Sequence, residues 1–318
     1  MKTILVTGAI GFIGSHTSKL LLKKGYQVIG LDEINDYYDR KWKESNLEEL
    51  KKEANFNFIK ADIRNLQSLE DIAEKYHFDG IIHLAARAGV RPSIEQPLLY
   101  EEVNIKGTLN LLEIARQNKI KQFVFASSSS VYGNQSKVPF SETDSVNEPI
   151  SPYAASKKSG EMFCHVYAHL FEINCICLRF FTVYGPNGRP DMAPYIFTKA
   201  ILSNQKIKKF GNGETRRDYT YIDDIAQGVV TSLDLDRKFE IINLGNNQPV
   251  SLNEFIATLE KITGKKMQIE QLPMQPGDVE QTFADISKAK KLLSYEPKVS
   301  FAEGISKFVT WYKANRLS

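Results

Sequence analysis

The 318-residue chain has few cysteines and lacks a long apolar run. Its cysteines are Cys164, Cys175 and Cys177. Because they are odd in number and lack the spacing of zinc ligands, we expect buried free thiols in a reducing cytoplasm and no bound metal. No stretch approaches the roughly 18 apolar residues of a membrane span, so we expect no membrane association. The apolar N-terminus is interrupted by glycines, which favours a buried first strand over a signal peptide.

The chain also lacks an excess of either charge. Lys and Arg total 41 against 38 Asp and Glu, a net charge of +3. The basic residues are dispersed along the sequence, so a nucleic-acid partner is not expected. The length suffices for one large domain or two medium ones with a sizeable core.

Short apolar runs alternate with helical patterns through the first half. The predicted strands are Thr3–Thr7, Gln27–Leu31, Phe56–Lys60, Gly80–Leu84, Gln122–Ala126 and Ile173–Arg179. The predicted helices are Ser15–Lys24, Leu66–Lys75, Asn104–Gln117 and Pro152–Phe171. This alternation predicts an α/β fold with a doubly wound parallel sheet of the Rossmann type.

The pattern becomes less regular after about residue 180, where prolines and glycines mark loops. We predict a nucleotide-binding domain over residues 1–178 and a smaller mixed α/β substrate domain over residues 179–318. Tyr219–Thr231 is predicted as a helix and Glu240–Leu244 as a strand, and segment 219–245 is expected to return to the first domain. Leu252–Thr263 and Ile286–Trp311 indicate mixed helix and loop.

A glycine-rich turn follows the first predicted strand and opens the first predicted helix. The residues expected to surround a bound dinucleotide here are Gly8, Gly11, Phe12, Ile13 and Gly14. Such glycines let the backbone approach a pyrophosphate at a helix N-terminus, although a tight turn is the simpler interpretation of the triplet alone. Asp32 lies about 20 residues further on, where an acid holds the adenosine ribose. Since its carboxylate would repel a 2′-phosphate, the pattern favours NAD over NADP.

Two other strand ends are expected to border the cofactor. Asp62 and Ile63 close the third strand and would flank the adenine, although Asp62 could instead cap a helix. Leu84, Ala85 and Ala86 lie at the close of the fourth strand, where the small alanine side chains would let the cofactor lie close. We expect His83 beside them to be structural.

Ser151 and Pro152 predict the start of a helix that carries Tyr153 and Lys157 one turn apart. A tyrosine is a poor base at neutral pH, but a neighbouring cation stabilises its phenolate. The motif alone is common on solvated helix faces. Here a serine run, Ser127 to Ser130, follows the fifth strand, at the sheet edge where ligands bind. Together these residues favour a catalytic site.

The sequence at this point resembles the extended short-chain dehydrogenase/reductase family, and specifically its nucleotide-sugar epimerases. The motifs are TGAIGFIG at 7–14, HLAA at 83–86, SSSSVYG at 127–133, YAASK at 153–157, RFFTVYGP at 179–186, RRDYTYIDDI at 216–225 and QPGDV at 275–279. They cover nearly the whole chain in the order typical of the family.

The resemblance implies a tightly bound NAD, a nucleoside-diphosphate sugar as substrate and a homodimer paired through helices 104–117 and 152–171. It also implies catalytic roles. Tyr153 would take the proton from the sugar 4-hydroxyl while hydride passes from C4 to the nicotinamide. Ser128 would hydrogen-bond the same oxygen, with Ser127 and Ser129 as neighbours, and Lys157 would hold the nicotinamide ribose. The 4-keto sugar then presents its other face and hydride returns.

Within the family, the stretches around Asn35–Asp39, Ala88–Arg91 and Thr182–Ala193 resemble the UDP-glucuronate 4-epimerases. By this resemblance Arg189 would contact the uronate carboxylate, assisted by Thr182, unless it forms only a salt bridge within its loop. Related lyases carry an acid where this chain has Ser129 and Ser130, so epimerisation is favoured. A 4-epimerase for UDP-glucose or UDP-N-acetylglucosamine would use the same catalytic residues, whereas a non-catalytic NAD-binding protein would not need them.

The nucleotide contacts are also inferred from the resemblance. Arg217 and Asp278 match the family's diphosphate and ribose contacts, although Arg216 could replace Arg217. Gln275 stands where many galactose epimerases have an arginine, which makes the usual phosphate contact doubtful.

Overall fold

A computed structural model describes residues 1–273 and 281–317. Its strands are β1 (Thr3–Thr7), β2 (Gln27–Asp32), β3 (Phe56–Lys60), β4 (Gly80–His83), β5 (Gln122–Ser128), β6 (Asn174–Phe180), β7 (Thr182–Tyr184), β8 (Lys206–Phe210), β9 (Arg216–Tyr221), β10 (Phe239–Leu244), β11 (Pro249–Ser251), β12 (Gln268–Leu272) and β13 (Gln281–Thr282).

Helices flank the sheets. They are α1 (Phe12–Lys23), α2 (Arg40–Leu50), α3 (Leu66–Lys75), α4 (Val90–Glu95), α5 (Pro97–Tyr100), α6 (Gly107–Gln117), α7 (Pro152–Phe171), α8 (Ala193–Leu202), α9 (Ile222–Thr231), α10 (Leu252–Thr263), α11 (Ser287–Leu293) and α12 (Phe301–Arg316). A π-helical turn spans Glu101–Lys106, and 3₁₀ turns span Ser129–Tyr132 and Ser232–Asp234.

The central sheet has seven parallel strands in the order β10-β6-β5-β4-β1-β2-β3. Both of its faces are buried, because alternate residues of one strand enter different cores: Val6 packs in one cluster and Leu5 in the other. The inner parts of these strands are therefore mostly apolar. This confirms the predicted doubly wound α/β sheet, and it brings the carboxyl ends of β1, β2, β4, β5 and β6 to one edge.

The second half builds a smaller layer beside that edge. Strands β11, β9 and β13 form a sheet with β7 on β9, and β8 pairs with β12. A third apolar cluster, which includes Phe255, Tyr219 and Ile305, packs these strands against α10 and α12. The strand β10 lies beside β6 in the central sheet. The exact division into two domains remains a prediction.

Several predicted elements differ from the structure by one to three residues at their ends, such as α1, which begins at Phe12 rather than Ser15, and one predicted helix is partly a strand. Tyr219–Thr231 is not one helix, because residues up to Tyr221 belong to β9, where Tyr219 pairs with Thr182 of β7. Tyr and Thr suit a strand, and the helical pattern begins only at Ile222. The helix predicted from Asn104 begins at Gly107, after the π-helical turn.

The described part of the chain contains no helix long and apolar enough to cross a membrane. Cys164, Cys175 and Cys177 are buried and free. Among the same residues no group of three or more His, Cys, Asp or Glu side chains is arranged to hold a metal ion.

A buried ion pair joins three of the central elements. Glu161 on α7 accepts hydrogen bonds from Arg179 at the end of β6, with Nε–Oε1 and Nη2–Oε2 distances of 2.8 Å each. Ser127 at the end of β5 donates to the same carboxylate at 2.6 Å. The side chains of Glu161 and Arg179 are each only 1% exposed. Their contact therefore fixes α7 against the ends of both strands.

Arg179→Met should destabilise the protein by about 3–5 kcal/mol, because it leaves the buried carboxylate with only the more distant, partly exposed Lys158, whose Nζ lies 3.7 Å from Oε2. Urea unfolding at pH 7 measures the change. Lys51→Ala, which removes an exposed ion pair to Glu48, is the control and should cost less than about 1 kcal/mol. A similarly small effect of Arg179→Met would contradict the assigned importance of the buried pair.

Candidate active site

A cavity of about 560 Å³ opens at the carboxyl edge of the central sheet. Its volume is that of a small-molecule site. The predicted site residues that line it are Gly8, Gly11, Phe12, Ile13, Gly14, Asp32, Asp62, Ile63, Leu84, Ala85, Ala86, Ser127, Ser128, Ser129, Tyr153, Lys157, Thr182 and Arg189. Arg217 lies on β9 and does not line this cavity. Asp278 and Gln275 lie outside the described residues.

The glycine turn brings backbone segments unusually close together. Gly8 has a φ of +69°, and a Cβ there would lie 2.8 Å from the Ala85 backbone nitrogen. A Cβ on Gly14 would lie 1.9 Å from the Gly8 carbonyl oxygen. These positions therefore require glycine. The resulting turn exposes the start of α1 to the cavity without side chains in the way, which suits a phosphate group.

Asp32 ends β2 as a buried carboxylate with a partner that was not predicted from the sequence. Its Oδ1 accepts from the Ile34 backbone at 2.8 Å and from Lys43 Nζ at 3.3 Å. Lys43 is buried on the same face of α2 as Leu47 and Leu50. The sequence signal for this partner of Asp32 is a lysine that occupies a position on the apolar face of a helix.

Asp62 is held by Arg64, whose Nη2 donates to Oδ2 at 2.6 Å. Burial alone raises the pKa of Asp62, but the hydrogen bonds and charge of Arg64 outweigh it and bring the pKa below its ordinary value. Asp62 is not the N-cap of α3, because Asn65 takes that position and accepts from Ser68. Its carboxylate remains on the cavity wall.

The serines of residues 127–130 make different contacts. Ser127 is buried and donates to Glu161, as described above. Ser128 Oγ accepts from the Ser130 backbone at 3.2 Å, which caps the 3₁₀ turn. Ser128 also interacts with Tyr153, and this interaction lowers the pKa of the phenol. The hydroxyl of Ser128 is thus the one beside the phenol.

Tyr153 and Lys157 enter the cavity from the first two turns of α7. Ser151 caps this helix by accepting from Ala154 at 3.1 Å. Lys157 Nζ donates to the Ala126 carbonyl at 2.7 Å, and burial lowers its pKa to about 8. Burial raises the pKa of Tyr153, whereas Ser128 and the charge of Arg189 lower it. The raised pKa keeps the phenol protonated at pH 7, while Ser128 and Arg189 favour its ionisation.

His83 is hydrogen-bonded on both ring nitrogens. Nδ1 lies 2.8 Å from Thr7 Oγ1 and Nε2 lies 3.0 Å from Thr108 Oγ1. Burial, with a smaller contribution from the Lys157 charge, lowers its pKa to about 3. The imidazole is therefore neutral at pH 7, and its contacts are those of a structural residue.

Arg189 lines the cavity and also makes a loop ion pair. Its Nε and Nη2 donate to the Asp191 carboxylate at 3.0 and 2.5 Å. Nη2 also donates to the Tyr37 hydroxyl at 3.2 Å. The side chain is 20% exposed. The salt bridge within the loop is therefore present and the side chain also lines the cavity, while its contact with a uronate carboxylate remains a prediction. No role was predicted from the sequence for Tyr37 or Asp191.

Comparison with known proteins identifies similar proteins over nearly the whole chain. The family model described as GDP-mannose 4,6 dehydratase matches residues 5–308. The UDP-glucuronate 4-epimerase of Thermodesulfobacterium geofontis is 50% identical, over 99% of this chain and 97% of that protein.

Solved structures are similar over the same span. The Bacillus cereus UDP-glucuronic acid 4-epimerase, in complex with UDP-glucuronic acid and NAD, is 41% identical with a TM-score of 0.90, covering 98% of this chain and 99% of that one. The Thermotoga maritima UDP-glucose 4-epimerase with UDP-glucose is 33% identical with a TM-score of 0.90 and the same coverage.

Replacing His83 should weaken the acid dependence of stability. Below about pH 6.5 the unfolded chain binds a proton at this histidine that the folded chain binds only near pH 3, so stability falls as pH falls. Between pH 7 and pH 5 the wild type should lose about 2 kcal/mol through this group, and His83→Gln should not. Urea unfolding at both pH values measures the difference. The exposed His169→Gln is the control, and an equal loss in all three proteins would contradict the assignment.

Proposed function

The chain belongs to the GDP-mannose 4,6 dehydratase family, and on that premise we propose that it is an NAD-dependent 4-epimerase that interconverts UDP-glucuronate and UDP-galacturonate. The observation that carries the proposal is a single cavity that joins the glycine turn to Tyr153, Ser128 and Arg189. The relatives that share this activity match nearly the whole chain. The chemistry passes through a 4-keto sugar that is reduced again on its other face.

The residues around the glycine turn fit NAD. The close backbone approach at Gly8 and Gly14 leaves room for a pyrophosphate at the start of α1. Asp32 would hold the adenosine ribose, with Asp62 and Ile63 near the adenine and Lys157 near the nicotinamide ribose. Leu84, Ala85 and Ala86 would lie along the dinucleotide. When bound, NAD accepts a hydride from the sugar C4 and returns it.

Tyr153 is the proposed acid–base residue. At neutral pH Lys157 is protonated, because its pKa is about 8. A cation one helical turn away would favour the phenolate. The phenolate oxygen takes the proton of the sugar 4-hydroxyl as C4 is oxidised, and returns it to the same oxygen when C4 is reduced. Ser128 would hydrogen-bond that oxygen throughout, with Ser127 and Ser129 alongside. Proton transfer of this kind contributes roughly 10²–10⁴ in rate.

Arg189 and Thr182 are proposed to bind the uronate carboxylate. Oxidation at C4 makes a β-keto acid, which loses carbon dioxide when its C5–carboxylate bond stands perpendicular to the ketone. A charge-assisted contact from a guanidinium would hold the carboxylate near the carbonyl plane and suppress that loss. The serines at 129 and 130 provide no acid for elimination or decarboxylation, which supports epimerisation over a lyase activity.

UDP-glucose is the second candidate substrate, and Asp191 is the observation that favours it. Since Asp191 pairs with Arg189, this guanidinium already has a counter-charge before a substrate arrives. A neutral sugar would then bind without leaving the charge of Arg189 uncompensated.

The roles of Arg217 and Asp278 toward the UDP diphosphate and ribose remain predictions. A cytoplasmic location is also a prediction, which the three free thiols support.

We infer a homodimer from an apolar surface on α7. Met162, Val166 and Leu170 recur at helical spacing and are 59%, 43% and 60% exposed. Ile94 on α4 and Leu98 on α5, which pack beside α7, are also exposed. Exposed apolar residues at helical spacing, as on α7, are typical of a protein interface. This surface includes one of the two helices predicted to pair, residues 152–171. The other, which the structure has as α6, offers less apolar surface, because its apolar residues are mostly buried.

The direct test offers the purified protein UDP-glucuronate and UDP-glucose separately, with and without added NAD, and separates the products by chromatography. We expect UDP-galacturonate from the uronate and less conversion of UDP-glucose. Tyr153→Phe should lower kcat by roughly 10²–10⁴.

Arg189→Ala in the same assay should raise KM for UDP-glucuronate and release a UDP-pentose. Conversion of UDP-glucose alone by the wild type would move the protein to the neutral-sugar epimerases. Unchanged uronate kinetics in Arg189→Ala would remove Arg189 from the site.

The homodimer is tested by light scattering on a sizing column. The wild type should elute with twice the mass of the chain, and Val166→Glu with Leu170→Glu should elute as the monomer, because two carboxylates would be buried in the interface. Ile269→Glu alters a comparably exposed apolar residue on β12 and should remain dimeric. A monomeric wild type would overturn the inference.

A further inference from the structure

The guanidinium of Arg189 is held by one neighbour from its own loop and one from a distant part of the chain. Asp191, two residues along, takes Nε and Nη2. Tyr37 accepts from Nη2 at 3.2 Å, and its ring centroid lies 5.4 Å from Cζ. Within residues 1–273 and 281–317, Nη1 donates no hydrogen bond. Two neighbours therefore orient the group, and one nitrogen is left for a ligand.

Asp191 cannot by itself fix Arg189 relative to the rest of the cavity. The two residues belong to one loop, and the Asp191 side chain is 46% exposed. A local pair of this kind can move as a unit without losing its ion pair. Tyr37 is different, because it contacts Arg189 from the loop after β2, 152 residues away in sequence. Its contact ties the loop to the central sheet.

The direction of the Tyr37 hydroxyl is determined by a second hydrogen bond. It donates its only proton to the Ala88 carbonyl at 2.6 Å, so that only its lone pairs face Arg189. Gly89, with a φ of +99°, allows this approach, since a Cβ there would lie 3.0 Å from the Tyr37 oxygen and 3.3 Å from Arg189 Nη2. The resulting chain runs from Arg189 through Tyr37 to Ala88.

The backbone of Tyr37 is tied to the end of β2. The Asn35 side-chain oxygen accepts from the Tyr37 N–H at 3.2 Å and from Lys43 Nζ at 3.0 Å. Lys43 in turn donates to Asp32. The loop that presents the phenol is thus connected through Asn35 and Lys43 to Asp32, the residue proposed to hold the adenosine ribose.

We propose that Tyr37 is a positioning residue that selects for a uronate by holding Arg189 toward the sugar carboxylate. The proposal rests on the proposed function, because it requires that Arg189 bind that carboxylate. Tyr37 acts as a hydrogen-bond acceptor whose own proton is already committed, so it fixes the guanidinium without competing for the carboxylate. A neutral sugar, which makes no such contact, should not depend on Tyr37.

Tyr37→Phe tests this, since it keeps the ring and removes the acceptor. We expect KM for UDP-glucuronate to rise roughly tenfold, the effect of one charge-assisted hydrogen bond. The kcat, the Kd for UDP by titration and the KM for UDP-glucose should remain those of the wild type. Tyr100→Phe is the matched control, because Tyr100 donates to the same Ala88 carbonyl at 2.6 Å. It should leave the ratio of uronate KM to UDP Kd unchanged.

Arg189→Ala completes a double-mutant cycle, in which adding Tyr37→Phe should cause no further rise in KM. Asn35→Ala, which loosens the Tyr37 backbone, is a second variant in case the first does not fold, and should raise the uronate KM without changing the UDP Kd. An unchanged KM in the folded variants would overturn the inference while the wild type still converts UDP-glucuronate. A wild type that does not convert UDP-glucuronate would instead overturn the proposed function.

Discussion

The carboxylate of Glu161 holds together the elements that present the cavity. It binds Ser127 at the end of β5 and Arg179 at the end of β6, and it lies one turn beyond Lys157 on α7. Because a buried carboxylate requires its partners, the helix and both strands are fixed in one arrangement. Ser128 follows Ser127 directly, Lys157 precedes Glu161 by one helical turn, and Thr182 lies three residues after Arg179. The contacts of Glu161 therefore bring these three residues to the same cavity.

Several charged groups around the cavity are paired before any ligand binds. His83 stays neutral since burial lowers its pKa, Asp32 is paired with Lys43, and Arg189 is paired with Asp191. Lys157 is one helical turn from the proposed acid–base residue, and its pKa of about 8 keeps it charged at neutral pH. The charge of Lys157 is therefore in place to stabilise a developing phenolate at the proposed acid–base residue.

The proposed sugar preference depends on a contact between two distant loops. In the family, similar folds serve both uronate and neutral sugars, as the Bacillus cereus and Thermotoga maritima relatives illustrate. Arg189 supplies charge from a loop, and Tyr37 connects that loop to the end of β2. Under this proposal, the preference for a uronate would depend on Tyr37 in the loop after β2 as well as on Arg189.

The sequence by itself determined the features that depend on near neighbours in the chain. Thr3–Thr7, Leu66–Lys75 and Pro152–Phe171 have the predicted bounds, since strand and helix patterns and the Ser151 cap are local. The glycine turn and the Tyr153–Lys157 spacing were recognisable for the same reason. The tertiary structure alone decided which distant groups meet. Lys43 beside Asp32, Tyr37 beside Arg189 and Glu161 beside Arg179 are contacts between separate elements, and β9 became a strand by pairing with β7. No pattern within one segment contains those pairings, because they arise only when the chain packs.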